Sequence, residues 1–217
     1  MTDTVTALNQ LDNVSPPPFC AQMTTSRSAP GAGEDSIQIA YAAADKWKVT
    51  DGDKVTIRNG AQVWTIRPDR VFIERADRVL PPFTILLWST YRSKGYHVDG
   101  LRAVELDDGR PGYLTAVSYQ LGSATAQLEL SVDQGSGLLR HRKDCAAAGE
   151  TAAEARFNAV NYSPAFVDRE FEPVIPSTAQ VVDESHAAEP GTARRVLIAV
   201  VARAAAPWNR LRHPERH

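Results

Sequence analysis

The sequence predicts a mainly β protein with a few helices, built on an antiparallel sheet. Short apolar-polar alternations of period two recur between residues 19 and 162, and Gly, Asn and Asp interrupt them at turn-like intervals. Helical patterns are confined to the two ends and one internal segment. The 217 residues suit one core plus a tail, and 43% hydrophobic with 23% charged residues is ordinary globular usage.

Residues 4–14 place Val5, Leu8, Leu11 and Val14 three apart, on one helical face, and Pro16-Pro17-Pro18 stops that helix. Residues 19–26 and 36–42 then read as strands around Ala29-Pro30-Gly31-Ala32-Gly33, with Ile37, Ile39 and Tyr41 on one side. Strands 46–50, 54–58 and 61–67 follow, with Trp47, Val49, Val55, Ile57, Trp64 and Ile66 at period two. Asn59-Gly60 is the expected two-residue turn, because both residue types tolerate positive φ. Residues 71–74 add one more strand.

Residues 80–91 break the alternation, since their apolar side chains cover every helical direction. This segment reads as a buried helix entered after Pro82, plugging or covering the sheet. Strands resume at 101–106, 113–121, 124–132 and 138–143, separated by Asp107-Asp108-Gly109, Gly122-Ser123 and the run from Asp133 to Gly137. Residues 153–162 and a short piece near Phe171 bring the expected total to nine to eleven strands. Residues 174–191 are polar, contain proline and lack any period, so they read as a linker. In the tail, 192–217, Thr192 is an N-cap candidate for a helix over 193–206 that stops at Pro207, although its Val-Leu-Ile-Ala-Val-Val start is equally strand-like.

The net charge of −2 conceals +5 in residues 192–217 and −7 elsewhere. An acidic body argues against a nucleic-acid groove, and no nucleic-acid partner is expected. Residues 1–11 lack the basic and apolar regions of a signal peptide, which predicts a cytoplasmic protein; a start codon further upstream would instead place it in the cell envelope. No apolar run approaches the length of a spanning helix. Cys20 and Cys145 allow one disulfide at most, and two free thiols are predicted.

Sites for chemistry are not evident. His141 and Cys145 share a strand face but lack a third, orienting group. The remaining histidines have no metal spacing, and Asp51-Gly52-Asp53 and Asp107-Asp108-Gly109 lack the continuation of a calcium loop. Gly135-Ser136-Gly137 is not a nucleophile elbow. No catalytic residue, metal or cofactor is expected, and the protein is read as a non-enzyme.

Several segments together carry a resemblance. They are the first helix running into Phe19-Cys20-Ala21-Gln22-Met23, then Asp45-Lys46-Trp47-Lys48-Val49 with Asn59-Gly60-Ala61-Gln62-Val63-Trp64, then residues 128–133 with Gly137-Leu138-Leu139, and a closing segment over 157–171. In order and type they resemble the periplasmic lipoprotein-carrier superfamily, the LolA-like proteins, which also includes a lipoprotein-like regulator of an anti-sigma factor. The resemblance implies a half-barrel domain over residues 1–173: a strongly curved antiparallel sheet wrapped round helices, with an apolar cavity for acyl chains. It implies a bacterial transport or carrier role with a lipid or acylated ligand.

Trp47, Trp64, Ile66, Phe83, Leu87 and Trp88 are the expected lining of that cavity, against the plainer reading that they fill a solid core. An alternative function is a regulatory or protein-interaction module whose basic tail docks a protein partner or an anionic membrane surface. Arg194, Arg195, Arg203 and Trp208 are the contact residues expected there.

Overall fold

The computed structural model describes residues 11, 14–28, 33–79, 97–121, 124–145 and 151–186. Among the described residues thirteen strands form one sheet: β1 (Phe19–Arg27), β2 (Asp35–Ala43), β3 (Lys46–Asp51), β4 (Lys54–Asn59), β5 (Gln62–Ile66), β6 (Arg70–Arg75), β7 (His97–Val98), β8 (Arg102–Glu105), β9 (Pro111–Leu121), β10 (Ala124–Asp133), β11 (Leu139–Cys145), β12 (Thr151–Asn161) and β13 (Gln180–Asp183). Their spatial order is β13-β6-β5-β4-β3-β2-β1-β12-β11-β10-β9-β7, with β8 also paired to β9. The sheet is open. Two antiparallel meanders, β1 to β6 and β9 to β12, are welded at the centre by β1 against β12.

The turn at residues 59–62 differs from the expected one. Asn59 pairs with Gln62, so the turn residues are Gly60 and Ala61, and among the described residues only glycines have positive φ. A glycine at the first turn position, with φ of 65°, is the requirement of a type II′ turn rather than I′. Gly52, between paired Asp51 and Lys54, has φ of 58° and the same placement.

The segment read as a linker enters the sheet. Residues 180–183 form β13, parallel to β6, with Val181 opposite Val71 and Val182 opposite Phe72. Short β-branched segments can pair wherever an edge is free, and the outer side of β6 is such an edge. The piece near Phe171 is a single 3-10 turn, Asp168–Phe171, not a strand. No helix of seven or more residues occurs among the described residues, so the wrapping round helices is not seen there. The helices expected at 80–91 and in the tail, and most of that at 4–14, lie outside the described residues.

Registers assign side chains to faces. On the first face, Phe19 stands opposite Tyr41, Tyr41 opposite Trp47, and Met23 opposite Phe157. These residues pack with Ile39, Val49 and Val63, and Ala76 and Leu138 join the cluster. Phe19 and Tyr41 stack with ring centroids 5.2 Å apart. Further along the same face, Val117, Leu128, Leu130 and Val132 pack with Leu11. On the second face Ile57, Ile66, Val71 and Phe171 form a separate cluster, flanked by Trp64, Ile73 and Phe166. The chain after β12 therefore crosses over β4 to β6 before adding β13.

Candidate functional site

The expected lining residues do not share one surface. Trp47 is fully buried on the first face, whereas Trp64 and Ile66 belong to the second-face cluster beneath Phe171. Pairing of Trp47 with Arg58, and of Trp64 with Ile57, puts the two tryptophans on opposite sides of the sheet. Phe83, Leu87 and Trp88 lie outside the described residues, as do Arg194, Arg195, Arg203 and Trp208.

A cleft of about 240 Å³ lies on the second face, under the turn that joins β8 to β9. The turn curls because Leu106 sits directly over Gly112, where a Cβ would come within 2.6 Å of Leu106 Cδ2. Two aspartates at its tip then reach neighbouring strands. Asp107 accepts a hydrogen bond from Arg156 Nη2 on β12 at 2.6 Å, and Asp108 accepts one from Arg140 Nη1 on β11 at 2.6 Å. Val104, Leu106 and Leu114 line the cleft with Glu129, Ser131, Arg140, His141 and Arg156. Burial would raise Asp108, but hydrogen bonds from Arg140 and from the Arg110 amide, with the charge of Arg140, hold its carboxyl below the usual range.

A third Arg-Asp pair anchors the far end of this turn. The fully buried Asp133 accepts hydrogen bonds from Arg110 Nε at 2.7 Å, from the Ser136 amide at 2.7 Å and from the Gly135 amide at 3.0 Å. Burial pushes Asp133 up, yet the Ser136 amide and hydroxyl and the Arg110 guanidinium outweigh burial and leave its pKa lowered. The Arg110 guanidinium also lies 4.1 Å from the centre of the Tyr162 ring. Asp107-Asp108-Gly109 was legible as a turn; its arginine partners were not, because Arg140 and Arg156 lie more than thirty residues away and only strand register brings them there.

His141 Nε2 lies 2.7 Å from Glu154 Oε1, and Ser131 stands directly opposite His141. No hydrogen bond joins Ser131 to His141, whose Nε2 is engaged by the Glu154 carboxylate. His141 pairs with Glu154 rather than with Cys145. Among the described residues there is no group of three or more His, Cys, Asp or Glu arranged to hold a metal ion.

Neither a family model nor a curated protein matches the sequence. Solved structures do match the fold. An uncharacterized conserved protein from Thermus thermophilus superposes with a TM-score of 0.52 at 12% identity, covering 83% of this chain and 96% of that one. MucB superposes with a TM-score of 0.51 at 17% identity over 79% of this chain. The fold is LolA-like. The chain spans 62% of the length of MucB, a protein also solved in complex with MucA from Pseudomonas aeruginosa. A LolA superfamily protein from Nitrosomonas europaea matches with a TM-score of 0.36 at 10% identity, over 80% of this chain and 99% of that one. What the LolA-like sheet presents here is two different surfaces: an apolar first face and a second face with a charged clasp over a small cleft.

Proposed function

We propose that this protein is a non-enzymatic binding module that holds an apolar ligand, a lipid or acyl chain, against the first face of its sheet. One observation carries the reading: Val63, Trp47, Tyr41, Phe19 and Phe157 form one apolar cluster on this face, broken only by Arg58 between Val63 and Trp47, and beyond Arg142 the same face continues to Leu130 and Val117. The face is buried, with Phe19, Trp47, Val63 and Val117 at 0% exposure, and among the described residues Leu11, Ala76, Val79, Leu101, Leu138 and Tyr162 lie against it from outside the strands, so a ligand would enter by parting this face from its cover. Each CH₂ buried there would contribute about 0.8 kcal/mol, so an acyl chain offsets the cost of association. Native mass spectrometry of the full chain, delipidated and then supplied with palmitate, should show a stoichiometric adduct. An absent adduct, together with no binding of a hydrophobic fluorescent probe, would reject the reading.

A second reading, a protein-interaction module, is favoured by a different observation. Val167, Val174, Ile175 and Val181 are exposed along the segment that leads into and forms edge strand β13, apolar side chains that a partner would cover. MucB, which shares the fold, is a partner of MucA. The basic tail with Arg194, Arg195, Arg203 and Trp208 would add attraction to an anionic surface. Deleting residues 192–217 should abolish sedimentation with vesicles containing phosphatidylserine; equal sedimentation of both forms would reject docking through the tail.

A further inference from the structure

We infer that the cleft beneath the Asp107-Asp108 turn is a binding site for a monocarboxylate carried on a small apolar body. The inference concerns the face opposite the apolar strip and stands apart from the acyl-chain reading.

Arg140 carries the argument. Its side chain is 8% exposed and lines the cleft, and it donates through Nη1 to Asp108 at 2.6 Å. Its Nε is buried with no acceptor. Native proteins rarely leave a charged donor in that state, because it has given up its water without gaining an acceptor in exchange. In a guanidinium, Nε and Nη2 form the edge that takes a carboxylate side-on through two parallel hydrogen bonds. Asp108 is committed to Nη1, which leaves Nε, on that side-on edge, without a protein acceptor; a carboxylate entering from the cleft would meet it by a small shift of the lining.

The rest of the cleft sets the shape and charge of the ligand. Val104, Leu106 and Leu114 offer an apolar wall, and about 240 Å³ suits a branched or aromatic acid smaller than a drug-sized ligand. Arg156 is occupied by Asp107, and His141 by Glu154. Glu129, on the same lining, supplies an opposing charge and would discriminate against a second carboxylate. The same chemistry belongs to a free small acid and to the C-terminal residue of a polypeptide.

The test is a titration of the full chain followed by NMR at the arginine Nε–H resonances and the backbone amides. Phenylacetate should shift the Arg140 Nε–H and the amides around Val104, Ser131 and His141 saturably. Phenylacetamide, which lacks the charge, should bind about tenfold more weakly or less. Glu129→Gln, a variant on the rim of the clasp, should tighten phenylacetate binding and admit succinate. Arg140→Lys, which keeps the charge but removes the Nε edge, should abolish the response. An acetylated tripeptide ending in leucine, compared with its C-terminal amide, separates the sources: tighter binding than phenylacetate assigns a polypeptide C-terminus, weaker binding a free acid. If no acid gives a saturable shift in either the natural chain or the Glu129→Gln form, or if the amide binds as well as the acid, the inference is overturned and Nε is served by water.

Discussion

Phe171 packs with Ile66 on the sheet face opposite Trp47, although the chain reaches Phe171 more than a hundred residues after Ile66. The contact fastens the segment after β12 across β4 to β6, and Phe166 meets Phe171 edge-on at 5.3 Å. Phe171→Ala should therefore cost about 3–5 kcal/mol, read as a lower urea midpoint. Lys46, which bridges to the solvent-exposed Asp168 at 2.5 Å, should leave the midpoint nearly unchanged when replaced by Ala.

Asp133 and Asp108 make stability depend on acid. Both carboxyls are lowered in the folded state, so the stabilisation is present above the unfolded carboxylate value of about 3.9 and disappears as pH falls through the lower folded values. Urea unfolding at a series of pH values should show stability falling below about pH 4. Asp133→Asn should flatten part of that fall. Asp133→Ala, which strands the Ser136 and Gly135 amides, should cost about 3 kcal/mol near neutrality.

Gly112→Ala should disrupt the clasp from below. The added Cβ would lie 2.6 Å from Leu106 Cδ2 and 2.9 Å from the Val132 carbonyl oxygen, and backbone cannot yield as a side chain does. A loss of about 1–3 kcal/mol is expected in thermal unfolding, with the Leu106 methyl resonances displaced from their natural positions.

Cys20 and Cys145 should remain thiols. Cys20 pairs with Asn161 and Cys145 with Thr151, at opposite ends of β12. Ten strand residues span roughly 33 Å, whereas a disulfide needs Cα atoms within about 7 Å. Labelling of the denatured, unreduced protein should count two reactive groups; a count of none would show that this fold is not the one populated.

The first six strands were legible because each turn between β3 and β6 is short and each strand alternates. Even the split between Trp47 and Trp64 was present in the numbering. A two-residue turn pairs odd positions with even ones, so odd Trp47 shares a face with even Arg58 and odd Val63, and even Trp64 falls on the other side. Reading apolar bulk rather than parity put both in one cavity. β7, two residues long, and β13, paired in parallel across a hundred residues, carry no local signature. The clasp was invisible for the same reason, since Asp108 and Arg140 meet only once β9, β10 and β11 are in register.

The weld of β1 to β12 has a consequence for how the molecule comes into being. Cys20 finds Asn161 across some 140 residues, so the centre of the sheet is assembled from the most distant strand pairing among the described residues. During synthesis the first meander emerges with one side of β1 unpaired, its amides and carbonyls available to any passing strand until residues 151–161 arrive. High contact order predicts slow folding, and the vulnerable interval ends only when the second meander docks.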